Sequence, residues 1–148
     1  MLGIDVGARR IGLAISDPSR TLARPLTTLA VANPSDAIDR VAELVGQLRA
    51  EDDGLDAIVV GLPSRLDGTP TDATPAVVAF IDALKTRTMM PVATEGERLT
   101  SHEADQRLAA TERDWRKRKR ALDAAAAAII LQDYLDKRRV QKDPPDIA

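Results

Sequence analysis

Apolar and polar residues alternate over residues 2–16, which predicts two short β-strands joined as a hairpin. In the first strand Leu2, Ile4 and Val6 share one face, because successive side chains of a strand point to opposite sides. On the other face Asp5 is the only side chain, with glycines at positions 3 and 7. This pattern indicates either an open pit in which a ligand reaches Asp5, or a bulge or sheet edge, which glycines also favour.

The next segments predict a strand, a helix and a buried strand. A third strand is predicted over residues 23–29, and Asn33 with Pro34 is typical of the start of a helix. Apolar residues then recur at helical spacing until the helix ends near Glu51. The continuous apolar run over residues 57–61 favours a central strand that is buried on both faces.

The second half of the chain continues to alternate helix and strand. Pro75 opens a second helix, in which Val78 is one of the apolar positions, and residues 91–94 form a short fifth strand. Glu97 then lies in the loop after that strand. A capping box at residues 100–103 opens a helix that runs to about residue 110.

The last part of the chain begins with a basic loop, predicted over residues 113–120. Residues 121–139 are rich in Ala and Leu, which favours a final helix, and residues 140–148 are expected to form a flexible tail.

Together these elements predict an α/β fold with a five-stranded mixed sheet flanked by helices. The sheet consists of an antiparallel meander of three strands plus two parallel strands. In such sheets the loops at the carboxyl ends of the parallel strands form the functional site. The length of 148 residues is expected to make residues 1–148 one domain.

Composition narrows the possible chemistry. The chain has no cysteine and one histidine, which excludes a disulfide framework and a zinc site of thiolate and imidazole ligands. A metal would be held by carboxylates, which suits Mg²⁺ or Mn²⁺. No apolar run reaches transmembrane length and no secretory signal is present, so we expect a soluble cytoplasmic protein with no membrane partner.

Charge is unevenly distributed along the chain. The net charge is −2, but from residue 113 onward ten Lys and Arg residues face six Asp and Glu residues. The preceding part is therefore acidic. Such an asymmetry predicts an electrostatic partner for the basic part.

Three carboxylates are candidates for a metal site: Asp5 on the first strand, Glu97 after the fifth strand and Asp123 in the first turn of the last helix. Two divalent ions held between such groups stabilise the attacking and leaving oxygens of a phosphodiester. The alternatives are structural. Taken alone, Glu97 is better explained as a surface carboxylate paired with Arg98, whereas Asp123 is equally suited to favourable placement at the positive end of a helix.

The basic segment, residues 113–120, directly precedes the helix that carries Asp123. It contains six cations and the only tryptophan of the chain: Arg113, Trp115, Arg116, Lys117, Arg118, Lys119 and Arg120. Overhanging a metal site, these cations would bind phosphates in a salt-dependent way, and Trp115 would stack on an unpaired base. The alternatives are a solvated loop and a tryptophan that pins it to the core. His102 is expected to be a helix-start residue rather than a catalytic base.

Four motifs, in this order along nearly the whole chain, resemble the YqgF/RuvX family of bacterial proteins. They are residues 3–7 with 10–14 and Ser16-Asp17; residues 61–63 with Asp67-Gly68-Thr69; residues 97–101 with Glu103-Ala104; and residues 117–119 with Asp123, Ala126, Ile130-Leu131 and Tyr134-Leu135.

The resemblance implies an RNase H-like fold and an acidic triad of Asp5, Glu97 and Asp123. It also implies a metal-dependent nuclease acting on the 5′ end of precursor 16S ribosomal RNA, or, on an older view by fold analogy, a Holliday junction resolvase. One departure concerns Gly96, which stands where the family usually has Asp. If that Asp contributes to metal binding, the site of this protein is weaker.

Residues around the triad and in the basic segment are expected to contact nucleic acid: Arg9, Arg10, Arg98, Arg113, Trp115, Arg116, Lys117, Arg118, Lys119 and Arg120. Four functions stay open. The first is a Mg²⁺- or Mn²⁺-dependent endonuclease for structured RNA such as pre-16S rRNA. The second is the same chemistry on branched, four-way DNA, which requires a dimer. The third is a non-catalytic pre-rRNA-binding protein. The fourth, an actin-like ATPase, needs two domains and ranks last. Both a monomer and a homodimer are compatible with the sequence.

Overall fold

The structure is a computed structural model that describes residues 1–64, 67–97 and 115–142, with side chains for all of these except residues 97, 115–120 and 139–142. The elements along the chain are β1 (Leu2–Val6), β2 (Arg10–Ser16), β3 (Ala23–Ala30), α1 (Pro34–Ala50), β4 (Ile58–Pro63), α2 (Thr74–Thr88), β5 (Val92–Glu97) and α3 (Trp115–Lys142).

The strands form one sheet in the order β3-β2-β1-β4-β5. The pairs β1–β2 and β2–β3 are antiparallel, whereas β1–β4 and β4–β5 are parallel. The predicted mixed sheet is therefore confirmed. Strand β1 lies at the centre and pairs with β2 without interruption from Leu2 to Val6, so the glycines around Asp5 mark neither a sheet edge nor a bulge.

The two faces of the sheet pack against different helices. One face and the helices α1 and α2 share the larger apolar core, in which Leu2 and Ile4 of β1 are fully buried. The other face packs against α3, with Ala14 and Val59 of the sheet against Leu131. The period-two pattern of β1 thus separates an apolar face from the face that carries Asp5.

Helix α1 begins as predicted. Asn33 caps it, since its side-chain oxygen accepts a hydrogen bond of 2.8 Å from the Asp36 amide, and Pro34 is the first helical residue. In α2 the apolar stripe differs from the prediction. Phe80 is buried and Val78 is 42% exposed, because position 78 lies beside the stripe rather than on it.

Two predicted boundaries are wrong. Strand β5 continues to Glu97 instead of ending at residue 94, because its pairing with β4 extends to Pro63. Helix α3 begins at Trp115, so residues 115–120 are helical and not a loop. Arg and Lys are good helix formers, and neither Gly nor Pro interrupts this stretch.

Several predictions fall outside the described residues. These are the capping box at 100–103 with His102, the helix to residue 110, and residues 143–148 of the predicted tail. Residues 140–142, also predicted as tail, belong instead to helix α3. Among the described helices, none combines the length and the apolar character that crossing a bilayer requires.

Candidate metal and nucleic-acid site

Asp5 lies on the sheet face that α3 covers. Its neighbour on that face, Gly3, packs so closely on the helix that an added Cβ would lie 2.7 Å from Cβ of Leu131 and 3.0 Å from the carbonyl oxygen of Ala127. Asp5 itself is half-buried. The prediction that Asp5 is placed on a glycine-lined face is confirmed, and α3 covers part of that face.

Gly12 brings the backbone of Asp123 next to the strand position of Asp5. A Cβ on Gly12 would lie 1.9 Å from the carbonyl oxygen of Asp123, so only glycine permits this approach. Gly12 is also the Cα partner of Asp5 in the β1–β2 pair, and directly opposed residues of antiparallel strands lie about 4.5–5.5 Å apart. The fold therefore brings these two aspartates to the same face and the same end of the sheet.

The Asp123 carboxylate is held by Arg10. The guanidinium Nε donates a hydrogen bond of 2.8 Å to Asp123 Oδ2, and the two side chains are 37% and 22% exposed. Arg10 begins β2 and precedes Gly12 by two residues, so both share the face under α3. A residue expected to contact nucleic acid thus contacts an expected metal ligand.

Strand β5 supplies further acidic positions on this face. Residues 95 and 97 pair with Gly61 and Pro63 of β4, and Val59, on the same face of β4, packs against α3. By this register residue 97 belongs to the strand face of residue 95. The Glu97 side chain itself lies outside the described residues.

Glu95 is an acid that the sequence reasoning did not include. It is 7% exposed, and its Oε1 accepts a hydrogen bond from Lys137 Nζ of α3. The residue was missed because residues 95–97 were assigned to a loop. Extending the strand alternation from Ala93 would have placed residues 95 and 97 together on one face.

The register also answers the question raised by Gly96. Its Cα partner is Leu62, which packs against the core on the side of α1 and α2. The side chain of an Asp at position 96 would therefore leave β5 on the face opposite that of Glu95. The departure from the family pattern removes no carboxylate from the face that carries Asp5.

Within the described side chains, no three His, Asp or Glu residues lie close enough together to hold one metal ion. Because Glu97 is not among these side chains, the acidic triad stays a prediction. Of the residues expected to bind nucleic acid, Arg9 is exposed in the β1–β2 connection. Arg98 and Arg113 lie outside the described residues, and only the helical backbone is described for residues 115–120.

Comparison with known sequences identifies close relatives over nearly the whole chain. The profile of a protein family described as "RuvX: Holliday junction resolvase" matches residues 1–137. A Chloroflexus aggregans protein named "Putative pre-16S rRNA nuclease" is 44% identical over 139 residues, which cover 94% of each chain. A Leifsonia xyli protein of the same name is 42% identical and covers 97% of this chain and 90% of its own length.

Solved structures are similar in fold at much lower identity. A fowlpox virus resolvase in complex with Holliday junction DNA superposes with a TM-score of 0.56 at 11% identity, covering 93% of this chain and 97% of the resolvase. Thermus thermophilus RuvC bound to a Holliday junction gives a TM-score of 0.52 at 20% identity over 94% of this chain and 96% of its own. These likenesses show the RNase H-like fold.

Proposed function

Since the chain belongs to the RuvX family, we propose that it is a divalent-metal-dependent endonuclease that hydrolyses phosphodiester bonds in structured RNA. Its substrate is the precursor of 16S rRNA, the molecule for which its relatives are named. Because bacteria make this precursor in the cytoplasm, the activity belongs there. The single observation that carries the proposal is the juxtaposition of Asp5 and Asp123 across Gly12.

The residues at this end of the sheet fit a hard divalent cation. Asp5 and Asp123 offer carboxylate oxygens, the ligands that Mg²⁺ and Mn²⁺ prefer. The Asp123 carboxylate already binds a cationic group, the Arg10 guanidinium. Glu97, assigned by its motif and by the register of β5, completes the proposed ligand set.

The metal would supply charge stabilisation at the phosphate and activation of a water nucleophile. The protein contributes the placement of its ligands. The central strand fixes Asp5, and the packing of α3 on glycine fixes Asp123. A preorganised set of carboxylates of this kind orients the ion without rearrangement of the backbone.

Electrostatic binding of RNA is assigned to the basic segment and to Arg9. Residues 116–120 form the turns of α3 that precede Asp123. With a rise of about 1.5 Å per residue, the helix carries these residues to within about 12 Å of Asp123 along its axis. Cations at this distance are suited to bind phosphates that flank the scissile bond.

The test is a paired measurement on the Asp5→Asn variant. An amide is a much poorer metal ligand than a carboxylate, so cleavage of pre-16S rRNA in Mg²⁺ or Mn²⁺ should fall by several orders of magnitude. RNA affinity measured in EDTA should hardly change, because phosphate contacts and not Asp5 provide it. The matched control is Asp82→Asn, an exposed acid on α2 at the opposite face of the sheet, which should cleave normally.

Three outcomes would redirect the proposal. Full cleavage by Asp5→Asn would remove Asp5 from the mechanism. Loss of binding together with loss of thermal stability would show that Asp5 is a structural residue of β1. Absence of cleavage by the wild-type protein would favour the non-catalytic pre-rRNA-binding function.

Resolution of four-way DNA is the second candidate, because the family description names it. Offering junction DNA and pre-16S rRNA side by side under the same ionic conditions separates the two. A resolvase makes two symmetric cuts and therefore has to act as a dimer. Sedimentation of the free protein and of its DNA complex tests that requirement.

A further inference from the structure

Arg10 forms an ion pair with the Asp123 carboxylate, which the proposed metal site needs as a ligand. Its Nε lies 2.8 Å from Asp123 Oδ2, and Asp123 is only 22% exposed, so the contact is partly shielded from water. We propose that Arg10 is a positioning residue that holds Asp123 in the metal-free protein and releases it when a divalent ion binds. This inference rests on the proposed function and concerns the same site.

Release is expected from the charges involved. The oxygen that accepts from the guanidinium is one that a metal would take, so the two cations compete for it. If the ion bound the other oxygen of the same carboxylate, it would still lie within a few ångströms of the guanidinium, and the like charges would repel each other. Arg10 therefore lowers the affinity of the free protein for the ion.

A released Arg10 is placed to meet a phosphate. It lies at the start of β2, beside the connection between β1 and β2, and its side chain is 37% exposed. A guanidinium presents several N–H donors in a fork that matches phosphate oxygens. A bound metal would take Asp123 away from Arg10 and so free Arg10 for a phosphate. A bound phosphate would take Arg10 away from Asp123 and so free Asp123 for the metal. By reciprocity, RNA and metal should each raise the affinity for the other.

A purely structural role for this ion pair makes the opposite prediction. If Arg10 only fastens α3 to β2, its removal loosens Asp123 and weakens metal binding. If Arg10 competes with the metal, its removal strengthens metal binding even though the metal-free protein loses an ion pair. The sign of the change in metal affinity therefore distinguishes the two roles.

The experiment is titration calorimetry of Mn²⁺ into the full chain without nucleic acid. Arg10→Gln should bind Mn²⁺ about two- to fivefold more tightly than the wild type, the effect expected from losing one competing, partly exposed ion pair. Arg10→Lys keeps the positive charge and should stay near the wild type. Arg24→Gln removes the same charge from an exposed residue of β3 at the other end of the sheet and should leave the affinity unchanged. Melting temperatures without metal establish that each variant is folded.

A second measurement tests the coupling. The affinity for a single-stranded RNA oligonucleotide should rise from EDTA to Ca²⁺ in the wild type and in Arg24→Gln, and this gain should be smaller in Arg10→Gln. An equal gain in all three proteins would overturn the inference.

The outcomes separate this inference from the proposed function. If Asp5→Asn loses Mn²⁺ affinity while Arg10→Gln binds Mn²⁺ no more tightly than the wild type, the result supports the metal site and contradicts the role of Arg10. If the wild type binds no Mn²⁺, both fall.

Discussion

At the scale of single residues, a glycine in the site and an aspartate outside it show how much of the structure depends on short-range contacts. Gly12 permits a closer approach between sheet and helix than Gly3 does, and it does so beside Asp5. Asp17, in the turn after β2, organises its own loop by accepting hydrogen bonds from Ser19, Thr21 and Leu22. A substitution at Gly12 and one at Asp17 each give a testable prediction.

Replacing Gly12 with Ala should destabilise the protein and disturb Asp123. The new Cβ would lie 1.9 Å from the Asp123 carbonyl oxygen, so the backbone of α3 has to move away. We expect a loss of about 3 kcal/mol in the free energy of unfolding, which is the range for overpacking against rigid backbone. Urea denaturation measures this loss. A lower Mn²⁺ affinity in a titration would report the displacement of Asp123.

Gly46→Ala is the matched control. Gly46 lies inside α1, is exposed and has no atom within 4 Å of an added Cβ. The same substitution should therefore raise stability there by about 0.5–1 kcal/mol. If Gly12→Ala were as stable as the wild type, the described packing of α3 on β2 would be wrong.

Asp17 predicts an acid-sensitive contribution to stability. The Ser19 hydroxyl, and then the Leu22 and Thr21 amides, hold the pKa of Asp17 below its usual value of 3.8. Because the folded state favours the charged form, this contribution is fully present above pH 3.8 and is lost as the pH falls through the lowered pKa. Urea denaturation of wild type and Asp17→Asn over a pH series should show a difference that shrinks below pH 3.8. A difference independent of pH would contradict this assignment.

At the scale of elements, α3 is fastened at both ends of its contact with the sheet. Arg10 binds Asp123 near the beginning of the contact, and Lys137 binds the buried Glu95 of β5 near its end. These ion pairs join the helix to β2 and β5, and Leu131 packs against Gly3 of β1 between them. Its orientation determines how Asp123 stands relative to β5.

Lys137→Met should destabilise the protein, because it leaves the Glu95 carboxylate buried at 7% exposure without this cation. We expect a loss of about 1–3 kcal/mol in the free energy of unfolding. The double variant Glu95→Gln with Lys137→Met should recover part of it, since the buried charge is then gone. Lys85→Met, at an exposed position of α2, is the control. Equal stability of Lys137→Met and this control would show that the pair contributes little.

At the scale of the whole molecule, the described elements form three layers with the proposed ligands on one side. Helices α1 and α2 cover one face of the sheet, and α3 covers the face that carries Asp5. The basic residues stand at the beginning of α3. Attraction of RNA and cleavage of RNA are therefore assigned to successive turns of one helix, and they can be separated by mutation.

Replacing Arg116, Lys117, Arg118 and Lys119 with Ala should weaken RNA binding and reduce its dependence on salt. Each lost phosphate contact lowers the slope of log affinity against log salt by roughly 0.7 for a single strand. Alanine is the best helix former, so α3 should persist. Filter binding over a salt series and circular dichroism provide the two readouts. An unchanged slope would mean that this turn is only solvated surface.

The sequence was sufficient for the parts of the fold that local pattern determines. Alternation predicted the faces of β1, and the Asn33 cap predicted the start of α1. Sequence patterns failed where a contact with a residue far away in the chain determines the local structure. Strand β5 extends to Glu97 because β4 pairs with it, and Glu95 is buried because Lys137 reaches it from α3. The Arg10–Asp123 pair joins opposite ends of the chain, so no local pattern predicts it.

The position of α3 at the far end of the chain also sets the order in which the site can assemble. The larger core contains residues of the sheet, α1 and α2, and within the described residues none from α3. During synthesis those elements can therefore collapse while the face of Asp5 is still open to water. Asp123 reaches Gly12 only after its helix has left the ribosome and docked. A nascent chain would thus be folded on one side before Asp5 and Asp123 could come together.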